Sequence, residues 1–481
     1  MDTDMETLDF LIVGAGISGI NSAYRIQTEI PEASYAILEN RDTLGGTWDV
    51  WKYPGVRCDS DISTLAFPWH SWAFPRGVVE GPLILEYLKD AASKHGIDRR
   101  IQFRHKVISA NWSSTRHRWD ISVDNYGQQK QFAARFLVLG TGFFNYDKPF
   151  EAEIPGLDRF KGRVINPQLW PSDYDYTNQK VVVIGSGATA VGLVPALPEK
   201  AAQVTMVQRS PSHIALWDNG LIWGYKYFPL SFVNGCRRLW CAVRLYLFVL
   251  FCETYPQAAN DALRKTIETQ LPSWVPYNPH FQPRYNPWDQ RMSVDPDAAF
   301  YKSLHLPNVK LITGEIDTIT ENGLNIQGGE NVQADAIVAA TGFRMQLGGN
   351  IRIRVDNEDL VWKERFIWNG AVLNGVPNML FSIGYPKNSW TLGADDTAFI
   401  LVRLFKYMKN KGFRAAVPRV PGGRAMQKSR LWYFSATFVK LADTVLPVYG
   451  DTGPWRPRRN PVADWLHARW GNITTGLGFS R

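Results

Sequence analysis

At 481 residues and 54.6 kDa the chain is too long for one ordinary domain and implies two or three. Its 45% hydrophobic and 20% charged residues exclude wholesale disorder. Four scattered cysteines without a CxxC pair exclude a disulfide scaffold and a dithiol reductase, and no metal site is expected. The net charge of +8 is dispersed apart from Arg456-Pro457-Arg458-Arg459, which points away from nucleic acid and toward an enzyme holding polyanionic cofactors. The acidic start, Met1 to Glu6, runs into a strand pattern without signal-peptide features, so a cytoplasmic protein is expected.

Leu8–Val13 is a short apolar run that reads as a buried strand, and Gly16–Thr28 has a helical pattern. Between them, Gly14-x-Gly16-x-x-Gly19 permits a tight turn, close approach of a pyrophosphate to backbone N–H groups, and close helix–strand packing. Ser34–Leu38 is the next strand and ends in Glu39, where a carboxylate accepts hydrogen bonds from ribose hydroxyls. This βαβ unit fits an unphosphorylated adenosine such as that of FAD, with contacts expected at Gly14, Gly16, Ser18, Gly19 and Glu39. In Gly45-Gly46-Thr47-Trp48-Asp49, glycines let the backbone approach a ring or phosphate and Trp48 offers a stacking surface. Gly46, Thr47 and Trp48 therefore join the candidates, with a plain turn capped by a core tryptophan as the alternative. Tyr53-Pro54-Gly55-Val56-Arg57-Cys58-Asp59 then places Arg57, Cys58 and Asp59 beside the expected flavin, where charge is costly unless used.

Phe136–Gly142 ends an apolar strand in Thr141-Gly142, and Ala336–Gly342 ends another in Thr341-Gly342. Ligands of doubly wound sheets bind at such carboxyl ends. Between these strands, Lys180–Ile184 leads into Gly185-Ser186-Gly187-Ala188-Thr189-Ala190, and the strand Val204–Val207 ends in Gln208-Arg209. No acid stands there, and a guanidinium grips the 2′-phosphate that a carboxylate would repel. The second unit therefore fits NADPH better than NADH, with contacts expected at Gly185, Ser186, Gly187, Ala188, Thr189, Gln208 and Arg209; a solvated Arg209 is the alternative. Ile214–Pro287 reads as a helical insertion. Within it, Leu239–Cys252 carries Arg244 and falls short of the roughly 20 apolar residues that cross a bilayer. It reads as a buried helix, with a tunnel wall or a shallow membrane contact as alternatives. The expected fold is α/β, with two Rossmann-like dinucleotide-binding domains. The FAD domain comprises residues 1–145 and 343–481, the latter including the C-terminal tail; the NADPH domain comprises 151–213 and 288–342, and the insertion is 214–287.

Together, GAGISG, GGTWDVWKYPGVRCD, GSGATA and AATGF resemble the class B flavoprotein monooxygenases of the Baeyer–Villiger type. Tyr35–Glu39, His105–Ala110, Tyr285–Arg291 and Ser389–Leu392 share in the likeness, which runs to about residue 413. The resemblance implies that NADPH reduces FAD, that reduced flavin reacts with O2, and that a flavin peroxide oxidises a small-molecule substrate. It implies Arg291 as the active-site arginine, Asp59 as the acid that orients it, and Val107 as a cofactor contact; an Arg–Asp salt bridge of structural value is the alternative. The 13% aromatic content, with 19 Trp, hints at an apolar cavity for a bulky ketone of secondary metabolism, polyketide or terpenoid, converted to an ester or lactone. N- or S-oxygenation, hydroxylation, NADPH oxidase activity and flavin binding without turnover stay open on the same scaffold. One position departs from the family fingerprint Phe-x-Gly-x-x-x-His-x-x-x-Trp-Pro: over Phe160–Pro171, Asn166 stands where the histidine belongs. Asparagine donates and accepts hydrogen bonds but cannot become cationic. Every other cofactor motif is intact, so a working enzyme is expected.

Overall fold

Two apolar strands, each running into a glycine turn, organise two sheets, one mixed and one all-parallel, in this computed structural model, which describes residues 7–420, 422, 426–458 and 460–481. The acidic start and Arg459 of the basic cluster lie outside the described residues. β1 (Thr7–Val13), α1 (Ile17–Glu29) and β2 (Tyr35–Leu38) form the first unit. β2 is buried throughout and β1 over Phe10–Val13, which is why both read as continuous apolar runs rather than alternating ones. β1 lies parallel to β2 on one side and to the carboxyl half of the long strand Gln128–Leu139 on the other. Beyond β2 comes Ile101–Gln102, and Met379–Phe381 flanks Leu137–Leu139. The amino half of the long strand turns antiparallel, pairing with Arg118–Asn125, which pairs in turn with Lys106–Ser113. Arg352–Val355 and Glu358–Asp359 complete nine strands.

β3 (Lys180–Ile184), α2 (Ala188–Ala196) and β4 (Gln203–Gln208) form the second unit. They belong to a five-stranded, all-parallel sheet ordered Val309–Thr313, β4, β3, Ala336–Ala339, Arg163–Ile165. The two units meet backbone to backbone. A Cβ on Gly55, in the loop after the first unit, would stand 2.2 Å from the carbonyl oxygen of Gly192 on α2, and Gly55 has φ +76°.

The stretch 214–287 departs from the helical expectation at its start. Ile214–Trp217 is a strand, paired in parallel with Ser293–Pro296. A short apolar run fits a strand or a buried helix equally well by periodicity, and an available partner edge decides. α3 (Leu230–Thr254) follows. It is not the buried helix expected: Val233, Cys241, Ala242, Val249 and Cys252 pack inward, while Leu239 is 59% and Trp240 64% exposed. No helix among the described residues is long and apolar enough to cross a membrane.

α4 (Trp390–Lys411) packs along α1, and α5 (Pro461–Trp470) packs on α4. A buried carboxylate pair ties them together. Asp395 accepts from Arg25 of α1 at 2.8 Å and from Arg469 of α5 at 2.9 Å. Asp396 lies 3.4 Å from Arg469 and 3.3 Å from the Tyr385 hydroxyl, which also reaches Asp464 at 2.8 Å.

Candidate active site

Residues at the carboxyl ends of parallel strands in both sheets line one cavity of about 1000 Å³, the location at which doubly wound sheets bind ligands. At the first turn, Gly14 (φ +99°) redirects the chain, and Gly14, Gly16 and Ser18 line the cavity. α1 starts at Gly16 with no side-chain cap and no acid in its first turn, so its N–H donors are left for an anion. Trp390 of α4 donates its indole N–H to the Ser18 hydroxyl at 2.8 Å and fixes the turn. Gly19 does not line the cavity. A Cβ there would stand 1.8 Å from the Gly14 carbonyl oxygen, so its glycine serves helix–strand packing rather than ligand contact, which corrects its expected role.

Glu39 is 7% exposed and is held from behind, accepting the Ala15 N–H at 2.7 Å and the Arg41 N–H at 3.0 Å. Burial raises its pKa, and these two backbone bonds oppose the rise. Gly46 packs its backbone against Gly16, and the Thr47 and Tyr146 hydroxyls share a hydrogen bond of 2.8 Å. Trp48, Arg57, Cys58, Asp59, Val107, Thr141 and Gly142 line the same space. Burial pushes the Cys58 thiol up to about 12, so it offers no thiolate.

Arg291 is exposed within the cavity wall, but no ion pair shorter than 4 Å joins it to Asp59 among the described residues. The contact between the two segments is made by Arg57 instead. Arg57, two residues before Asp59, donates to the carbonyl of Val294, three residues after Arg291, at 3.1 Å and lies 3.9 Å from Asp295. Burial raises the Asp59 pKa, opposed first by Arg57 and then by Arg291.

Gly185, Ser186, Gly187, Ala188 and Thr189 of the second turn, with Thr341 and Gly342, line another part of the cavity. α2 also starts uncapped, at Gly187, and no protein atom lies within 4 Å of the position a Cβ would take there. That space suits a phosphate. Ser186 donates to the Ser210 carbonyl at 2.9 Å, and Ser212 donates to the Ser186 carbonyl, so the turn is braced. Arg209 is exposed and lines the cavity, whereas Gln208 does not. Gln208 is 3% exposed and donates to the His280 carbonyl at 2.8 Å and the Thr313 hydroxyl at 2.9 Å. Successive side chains at a strand end point opposite ways, so only one of the pair can face a ligand.

Asn166 stands outside the cavity wall and caps the turn Pro167–Leu169. Its side chain accepts the Gln168 N–H at 3.0 Å and donates to the Phe150 carbonyl at 3.1 Å, both bonds a neutral amide makes well. Sequence reasoning missed the aromatic wall. Phe143 lies 4.7 Å from Trp432 and 5.0 Å from Trp390, and Phe343 lies 4.4 Å from Phe144 and 4.3 Å from Phe438, ring centre to ring centre. The available signal was the aromatic residue following each Thr-Gly pair.

Comparison with known proteins decides the family. Residues 9–228 match the flavin-binding monooxygenase-like family model. The chain is 38% identical to the FAD-containing monooxygenase EthA of Mycolicibacterium smegmatis over 97% of its own length and 96% of that protein. It is 36% identical to the probable FAD-binding monooxygenase AlmA of Acinetobacter baylyi, over 95% and 93%. The chain belongs to the flavin-binding monooxygenase family. Among solved structures, this flavin monooxygenase resembles an oxidised steroid monooxygenase bound to NADP (TM-score 0.76, 20% identity, 98% and 99% covered). It also resembles OTEMO in complex with FAD and NADP (TM-score 0.76, 20% identity, 99% and 100% covered). At that identity the likeness establishes the α/β fold that the flavin monooxygenase shares with them.

Proposed function

We propose that this flavin monooxygenase binds FAD at the first glycine turn and NADPH at the second, and oxidises a bulky apolar ketone to an ester or lactone. Ketone, O2, NADPH and a proton give ester, NADP+ and water. The observation that carries the reading is that both uncapped helix starts and Arg291 share one cavity with an aromatic wall.

The bound cofactors supply hydride transfer and oxygen activation. The protein's own work is positioning, charge and dryness. Glu39 accepts from the flavin nucleotide's ribose hydroxyls, and Arg209 grips the 2′-phosphate that distinguishes NADPH. Arg291 stabilises negative charge that develops on the reacting oxygens, where a fixed cation in a water-poor site acts strongly. Arg57, bonded to the Val294 carbonyl, holds the Asp59 loop against the strand after Arg291 and so places that guanidinium indirectly. Phe143, Phe343, Phe438 and Trp432 exclude water and hold apolar substrate. Asn166 serves as a hydrogen-bonding anchor of the linker, a role that needs no imidazolium.

Purified protein given NADPH, labelled dioxygen and a ketone panel should release an ester or lactone carrying one labelled oxygen, read by mass spectrometry. NADPH consumed only to hydrogen peroxide defeats the proposal. A sulfide or amine oxidised far faster than every ketone moves the assignment to heteroatom oxygenation.

A further inference from the structure

A surface helix of a globular protein normally turns polar residues to solvent. α3 does the reverse. Phe232 (58% exposed), Leu239 (59%), Trp240 (64%), Leu247 (55%), Leu250 (45%) and Phe251 (40%) recur at helical spacing along its outer side. At the helical rise this stripe runs roughly 29 Å, well beyond the scattered apolar residues of an ordinary surface. α5, which touches α3, presents Trp465, Leu466 and Trp470 in the same manner.

The charges indicate the occupant. From Asn219 to Cys252 the chain carries Lys226, Arg237, Arg238 and Arg244 and no carboxylate. Arg237 is paired with Asp61, and Arg238 donates to the carbonyls of Ser63, Thr64 and Ala66. Lys226 and Arg244 remain exposed, the latter stacked on Trp217 with its guanidinium 3.9 Å from the ring centre. Two copies of α3 facing each other would bring cations together with no acid before Glu253 to answer them. Large aromatic and aliphatic residues on α3, with exposed Arg244 on the helix and exposed Lys226 just before it, neither in an ion pair among the described residues, instead match the boundary between lipid headgroups and acyl chains.

We infer that α3 seats the enzyme on an anionic lipid surface, lying in the plane of the interface without crossing it. Ala242 on its inner side accepts from Asn388, a cavity-lining residue, at 3.2 Å, so the lipid-facing stripe lies one helix away from the cavity. The membrane contact does not depend on which substrate is oxidised.

The FAD-loaded enzyme is sedimented with vesicles of phosphatidylcholine containing phosphatidylglycerol and with vesicles of phosphatidylcholine alone. Wild type should pellet with the anionic vesicles and much less with the neutral ones, and about 0.5 M salt should release it. A Trp240→Glu/Leu247→Glu variant should lose at least roughly tenfold in partitioning while retaining its flavin absorbance and NADPH oxidation. Trp470→Glu on α5 should show a smaller loss. Leu306→Glu, at a 43%-exposed apolar position on another element, should bind as wild type. Wild type left in the supernatant, equal binding to both vesicle types, or an equal loss in Leu306→Glu overturns the inference. So does a dimer by light scattering that the double variant converts to monomer, since the stripe then closes on a second copy.

Discussion

Replacing Asp396 by asparagine isolates the electrostatic strain that this chain carries where α4 meets α5. Asp396 is 2% exposed, and burial lifts its carboxyl from 3.8 to about 7, with Arg458 opposing the rise and Asp395 adding to it. Because the folded pKa lies above the unfolded one, the stability tied to this group is complete below about pH 4. It falls as pH rises and is fully lost above about pH 7. At alkaline pH the ionised, buried carboxylate costs ~4 kcal/mol relative to the unfolded chain. Asparagine cannot ionise, so the variant escapes this loss. The advantage of Asp396→Asn over wild type should grow by ~3 kcal/mol between about pH 5 and about pH 9, whatever constant offset the changed Tyr385 hydrogen bond adds. For a chain of this length unfolding as a unit, the unfolding entropy is ~1 kcal/mol/K, so the Tm difference between variant and wild type should widen by about 3 °C. Calorimetric scans of both proteins, saturated with FAD, measure it at the two pH values. A Tm difference that stays the same at both refutes the reasoning.

Arg209→Ala should raise the KM for NADPH by roughly 10–100-fold and leave that for NADH nearly unchanged, in steady-state flavin reduction. Gln208→Leu should lower Tm without altering that preference, because its bonds go to His280 and Thr313. Arg291→Ala should keep NADPH-driven flavin bleaching yet lower oxygenated product at least about 100-fold by mass spectrometry; full product formation would remove the charge-stabilising role given to this residue. Gly187→Ala places a methyl group where no protein atom lies within 4 Å, so the variant should fold normally but bind NADPH weakly. Gly19→Ala meets the Gly14 carbonyl and should lose bound flavin on purification.

The two strand–glycine turn–helix units were legible because each is local: a strand, a few glycines and the start of a helix leave their mark within about twenty residues. Arg209 and Gln208 show the limit of that reading, since adjacent residues at a strand end share a motif but not a direction. The aromatic wall was not legible, because Phe143, Phe343, Trp390 and Trp432 come from four separate segments and only tertiary packing brings them together. Arg291 and Asp59 both line the cavity, but the bond that ties their segments together is Arg57 on the Val294 carbonyl, which no side-chain pattern encodes. α3 was recognisable as apolar and helical. Its outward face was not, since a helix apolar on several sides does not announce which side is covered.

At Gly55 and Gly192 the halves of the molecule touch through bare peptide groups, flanked by Tyr53 and Val56, which share a buried cluster with Val191 and Leu193 of α2. The gap separating the two glycine turns is thereby set in large part by backbone. Even one methyl group at either glycine would meet the opposite backbone, at 2.2 Å from the Gly192 carbonyl oxygen or 2.9 Å from that of Gly55, and force the halves to part.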